Sequence, residues 1–362
     1  MSSIFKQFST GDITSTRTLL NEAIPITGSL TSGTYIEPPS TDSNVKMYSH
    51  GMFTSIYDYP YLSSSANHLF DKTFGYTAAS SLYNAAEATS AKKLAIYNEM
   101  AQVLVGHDVT GSILKFDQDG NLLAGGTKYN EAYFLCFSRL LYKDEIKKGS
   151  FSITLGMSGA LDPCLGSENL TITDVGAQND YRVNSPAGEY GILSCSAGGG
   201  YVGSTGECGL IFYQAGIVVL SSLVFSNSYA TGSGFSGAWA SASTDIAAGS
   251  MDFVMSTGSI TGAVDAFRQR ICNISFNNTT ELNSTIYFCR LNHNEFNYSS
   301  NPTYLSGSKI RVKDASADAP ISYLTSVGLY DSQGRMLSVA KLSEPLRKTI
   351  DSEITIRVRQ DF

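Results

Sequence analysis

The feature that most narrows what this chain can fold into is the period of its C-terminal stretch. Ile354-Thr-Ile-Arg-Val-Arg359 alternates apolar and polar residues strictly, and a period of two suits a strand with one buried face. Ile354, Ile356 and Val358 are therefore expected in a core, with Arg357 and Arg359 outside it. Upstream, Val327-Gly-Leu-Tyr330 and Met336-Leu-Ser-Val-Ala340 flank Asp331-Ser-Gln-Gly334. Turn-formers between two apolar runs predict a β-hairpin, because Asp and Ser bond their own backbone and Gly supplies positive φ. Ile286-Tyr-Phe-Cys-Arg-Leu291 is dominated by residues that fit a pleated, half-buried surface. The final strands are expected to close the fold.

Earlier segments extend this reading. Asn84 to Val105 is the clearest helix: it is rich in Ala, and Leu94, Tyr97, Met100, Ala101 and Leu104 step by three or four residues. Gly106 is its expected stop. Glu131–Tyr142 reads as one buried strand, Ser150–Gly156 as an alternating one, and Gly209–Leu220 as a buried hairpin around Gln214-Ala-Gly216. A second helix is expected within Ile260–Arg270. The expected fold is mainly β, with sandwich- or barrel-like domains and one clear helix near 84–105, α+β in sum. Its parts are an extended N-terminal arm (1–45), an aromatic-rich segment plus helix (46–108), a β-rich domain (109–270) with a Gly/Ser-rich excursion at 226–250, and a C-terminal β region (271–362) that completes the fold.

Composition removes several function classes. Only 16% of the 362 residues are charged, against about a quarter in an average chain. A net charge of −7 without a clustered basic face argues against a nucleic-acid partner. No apolar run approaches the ~18 residues of a membrane span, so no membrane insertion is expected. Met1–Thr10 lacks a basic stretch followed by an apolar one, so no Sec-type signal is expected. Six cysteines (136, 164, 195, 208, 272 and 289) show no Cys-x-x-Cys and no nearby His pair, which does not suit zinc. Cys195 and Cys208 bracket a Gly-rich loop and can pair on oxidation, but all six are expected reduced when the protein is made.

A search for chemistry finds little. His50, His68, His107 and His293 stand apart from other metal ligands. Neither a Gly-x-Ser-x-Gly elbow nor a P-loop occurs, and the Gly198–Gly203 cluster leads into a strand pattern. Asp117-Gln-Asp-Gly-Asn121 resembles the start of a calcium loop, yet no bidentate acid follows at the expected distance. An Asp-Gly hairpin turn is the expected structure there. No catalytic, cofactor or metal residue is assigned, and the chain is expected not to be an enzyme. Acids paired from distant parts of the chain, as in glycoside hydrolysis, are the alternative. The candidate interface residues are aromatic: Tyr57, Tyr59 and Tyr61 in Tyr-Asp-Tyr-Pro-Tyr, the lone Trp239, and Phe296 with Tyr298. Packing within the chain is the competing explanation for each of them.

Several stretches resemble a known family together. They include Ser65–Tyr76, Ala95–Leu104, Phe137–Phe151, Gly209–Leu220, Glu295–Thr303, and Val327-Gly-Leu-Tyr330 with Ala340–Pro345. In order and spacing the set resembles virion structural proteins of large contractile-tailed bacteriophages, over most of the chain from Ser65 to Phe362. The resemblance implies a non-enzymatic structural subunit, made in the bacterial cytoplasm and carried in the virion. Its implied place is the tail baseplate or wedge, and its implied partners are other virion structural proteins and copies of itself. A neck, collar or capsid-associated protein, or a receptor- or carbohydrate-binding module, are the alternatives.

Overall fold

A computed structural model describes residues 5–26, 44–123, 125–156, 169–197, 206–221, 224, 258–299, 305–306, 309–310, 317 and 319–362. The fold is mostly β, built on a large antiparallel sheet. The first strands are β1 (Ile13–Pro25), β2 (Val45–Met47), β3 (Thr54–Tyr57), β4 (His68–Tyr76), β5 (Glu131–Phe137) and β6 (Glu145–Ile146). There follow β7 (Ser152–Gly156), β8 (Asn169–Thr173), β9 (Arg182–Ser185), β10 (Gly188–Ala197), β11 (Glu207–Phe212) and β12 (Ile217–Ser221). The last are β13 (Ile271–Leu291), β14 (Leu305–Ser306), β15 (Lys309–Ile310), β16 (Ile321–Tyr330), β17 (Met336–Thr349) and β18 (Ile354–Asp361). The α-helices among the described residues are α1 (Ser90–Leu104), the single turn α2 (Arg139–Tyr142) and α3 (Ile260–Gln269). By its contacts the chain forms two units, Leu20–Thr280 and a smaller one of Met1–Leu19 with Glu281–Phe362. The division falls inside β1 and inside β13.

In the larger unit the strands pair in the order β13, β7, β8, β10, β11, β12, β5, β4, β3, β2. The central strands are covered on both faces, so they read as unbroken apolar runs rather than alternations. The β11–β12 hairpin sets Leu210 opposite Val219 and Ile211 opposite Val218, all four fully buried. Helix α1 lies against β4 at Gly75, where a Cβ would stand 2.7 Å from the Lys93 carbonyl and 2.8 Å from the Tyr97 nitrogen. Glycine at this position is what lets the helix backbone come so close. Tyr97 then fills the core, donating its hydroxyl to the Tyr129 carbonyl at 2.5 Å and stacking edge-on against Phe116.

Two expectations about where elements begin and end need correction in this unit. The helix begins at Ser90 rather than near Asn84. Asn84 accepts from the Ala86 amide through its side chain and from the Ser90 hydroxyl through its carbonyl, a local turn that competes with helix. The strand expected over Glu131–Tyr142 stops at Phe137, and α2 folds the Tyr142 ring onto Gly216, 2.2 Å from where a Cβ would be. Ring burial overrides the β-propensity of the sequence there. Cys195 and Cys208 are bonded, their Cα atoms 6.3 Å apart on paired strands, the pairing expected on oxidation. Cys136 and Cys289 are free thiols.

The smaller unit has a thin core. Leu329, Ile356 and Val358 form its centre, with Tyr287, Leu291, Leu324, Val327, Leu342 and Ile354 packed around them. The strict alternation of β18 places Ile356 and Val358 inward and Arg357 and Arg359 outward, paired antiparallel with β13. The expected hairpin forms from β16 and β17. Asp331 closes it by accepting from the Gln333 and Arg335 amides, while Gly334 adopts φ +77°.

Candidate interaction surface

The N-terminal segment of the smaller unit is fixed by one carboxylate. Asp12 accepts from the Ser9 amide at 2.9 Å and from the Ser9 hydroxyl, and pairs with Arg290 Nε at 2.6 Å. These donors favour the charged form and hold its pKa at about 2. The Asp12 carbonyl in turn accepts from the Phe288 amide of β13. Ahead of this anchor, Phe8 meets the Tyr287 ring at 5.5 Å and Phe5 meets Tyr330 at 4.6 Å. Lys6 pairs with Glu295 and lowers its pKa.

This segment borders a cavity of about 1040 Å³ whose apolar lining includes Phe8, Cys289, Leu291, Leu324, Leu329 and Phe296. Along its edge runs the turn after β13, held by the buried Lys348. The Lys348 ammonium donates to the His293 carbonyl at 3.2 Å, to Asn297 Oδ1 at 2.8 Å and to the Thr349 carbonyl at 2.8 Å. Asn297 donates back to the His293 carbonyl. The lysine comes from a strand more than fifty residues away.

Near its turn, the outward face of the β16–β17 ribbon carries exposed apolar side chains. Along β17 the side chains alternate, with Ser338, Ala340 and Leu342 half-buried and Leu337, Val339 and Lys341 exposed. Leu337 is 68% and Val339 63% exposed. Val339 sits opposite Gly328 and Met336 opposite Tyr330, and the Tyr330 ring lies across Gly328. Strand β1 is exposed over nearly its whole length, Leu19 and Leu20 included.

The candidate interface residues fall in separate places. Tyr57 and Tyr61 are half-buried and pack with each other, Tyr57 also meets the His68 ring edge-on, and burial raises the Tyr57 pKa. Tyr59 is exposed on the turn between β3 and β4. Trp239 and Pro302 lie outside the described residues. Phe296 and Tyr298 are both exposed, with Asn297 between them half-buried. Phe296 adopts a left-handed φ of +54°. Sequence reasoning missed Phe5, Phe8, Leu337 and Val339. The period-two pattern of β17 contains the last two, but both faces of that strand are apolar, so the pattern alone does not say which one faces out.

Among the described residues, no three His, Cys, Asp or Glu side chains come together to hold a metal. The buried Asp174 of the larger unit is raised in pKa by burial, yet it accepts from Gly149 N, Phe151 N and the Tyr213 hydroxyl, which marks a structural carboxylate. Comparison with known proteins finds no matching family model, no matching curated protein and no matching solved structure.

Proposed function

We propose that the chain is a non-enzymatic structural subunit of a bacteriophage particle, working in the tail baseplate or wedge. The observation that carries this reading is the exposed apolar surface of the β16–β17 ribbon, together with the exposure of β1. A folded unit that leaves Met336, Leu337 and Val339 in water has surface whose burial against a neighbour is favourable. Low charge density supports the same reading, because little ionic hydration is lost when such a surface is covered. The sequence resemblance to virion proteins supplies the kind of neighbour: other particle proteins and further copies of this chain. Tyr59 exposed beside the Tyr57–Tyr61 pair favours glycan contact as the second reading. Subunit-resolved imaging of the particle tests the proposal. Density in the baseplate is the expected result, and density confined to the capsid faces overturns it. Glycan-array binding lost in Tyr59→Ala would promote the second reading instead.

A further inference from the structure

The loop from Asp117 to Lys128 does not form the tight Asp-Gly hairpin expected from its sequence. Among the described residues, the flanking chain pairs at its base, through an Asp117–Lys128 bridge and the bonds Gln118 N to Thr127 O and Tyr129 N to Phe116 O. Twelve residues lie in the closed segment, the length of an EF-hand calcium loop. That loop takes ligands from its first, third and fifth side chains, its seventh carbonyl and an acid at position twelve, with glycine at six for the sharp turn. Here those positions are Asp117, Asp119, Asn121, the Leu123 carbonyl and Lys128. Leu122, at the glycine position, holds the left-handed φ of +58° that this turn demands.

The twelfth residue is the decisive departure. The Lys128 ammonium donates to Asp117 Oδ2 at 2.6 Å and to the Leu123 carbonyl, the first and seventh ligands of the series. Asp117 is fully buried, and its other oxygen, Oδ1, has no hydrogen-bond partner. Oδ1 and Asp119 Oδ2 converge on the space beside Gly126, where an added Cβ would stand 3.3 Å and 3.7 Å from them. A buried carboxylate oxygen without a donor is costly unless a cation is at hand. The loop is also held from outside, with the Gly120 carbonyl accepting from the Tyr190 hydroxyl at 2.6 Å.

We propose that residues 117–128 form a divalent-cation loop whose cation position is filled by the Lys128 ammonium, so that the native chain needs no metal and an acid at position 128 opens a calcium site. A hard, oxygen-only ligand set in a loop of this length suits calcium better than magnesium, which demands stricter geometry and keeps its water.

The test uses the full chain and its variant Lys128→Glu, titrated with calcium chloride and magnesium chloride and followed by calorimetry and thermal unfolding. The variant should bind calcium with a Kd of about 0.1–1 mM, and about 10 mM calcium should raise its unfolding midpoint by about 2–4 °C. Magnesium should do less, and the native chain should not respond. Adding Asp117→Asn to the variant should abolish the response. A folded Lys128→Glu chain indifferent to calcium overturns the proposal, as does an equal response from the native chain. If Lys128→Glu fails to fold without metal, recovery of its native circular dichroism on adding calcium supports the proposal. Failure of both Lys128→Glu and Lys128→Gln to fold at any calcium concentration counts against it.

Discussion

The two units solve the same β-sheet problem with different amounts of core. In the larger one, Phe134, Leu210, Val218 and Ile274 are wholly excluded from water, and aromatic rings meet across sheet and helix. In the smaller one, the side chains at the centre of the apolar core, Leu329, Ile356 and Val358, still keep 7%, 9% and 8% of their surface exposed. A two-stranded ribbon has two faces and too few neighbours to cover both. The larger unit carries its own hydrophobic stabilisation. The smaller one substitutes specific polar fastenings, Asp12 with Arg290 and Lys348 with the 293–297 turn, and leaves apolar surface for something else to cover.

The largest effect should come from the larger core. Phe134→Ala is expected to lose about 3–5 kcal/mol in denaturant unfolding, because the ring packs 5.7 Å from Phe116 and is fully buried. Leu329→Ala should lose clearly less, and an equal loss would erase the contrast between the units. Next comes Gly75→Ala, expected to cost about 1–3 kcal/mol by overpacking, since the new methyl meets helix backbone that cannot rotate away. A neutral result there would mean that α1 can move off β4.

Opposite pH responses sharpen the comparison. Burial lowers the Lys93 pKa to about 8 in the larger unit, from an ordinary 10.5. Between those values the unfolded chain binds more protons than the folded one, so this contribution to stability rises with pH from about 8 towards 10.5. Lys93→Met should flatten that slope. In the smaller unit Asp12 is depressed to about 2 from 3.8, so its contribution is present above 3.8 and disappears as pH falls towards 2. Hydrogen exchange should show the Phe288 amide, bonded to the Asp12 carbonyl, losing protection over that acid window.

Smaller effects are expected on the exposed surfaces. A core phenylalanine at 296 would cost about 3–5 kcal/mol on truncation. At 43% exposure Phe296→Ala should cost about 1 kcal/mol or less in chemical denaturation. The double substitution Leu337→Lys with Val339→Lys should leave the isolated subunit's stability within about 0.5 kcal/mol and block its incorporation into particles. Normal incorporation would remove the ribbon face from the proposed interface.

Much of this architecture is legible in local pattern. The alternation at Ile354–Arg359, the Asp331–Gly334 turn, the apolar runs of β11 and β12 and the two longer helices follow from periods and turn chemistry that neighbours in sequence settle among themselves. Such features require no knowledge of what lies across the fold. The end of β5 at Phe137 and the role of Lys348 depend on partners distant in the chain, and they were not legible; the helix start at Ser90 rests on a local turn at Asn84 that competes with the helical pattern.

The candidate sites divide the same way. Sequence alone determined that residues 117–121 carry a cation-loop pattern, and that the acid required at the twelfth position is missing. Only tertiary structure decided that Lys128 puts its own ammonium between the first and seventh ligands, because a long flexible side chain reaches wherever buried oxygens draw it. Likewise the sequence determined that β17 has two apolar faces. Which of them meets Leu329 and Ile356, and which is left to water, was decided by the strands that pack against it, since a pleat supplies two faces and only the fold selects one to bury.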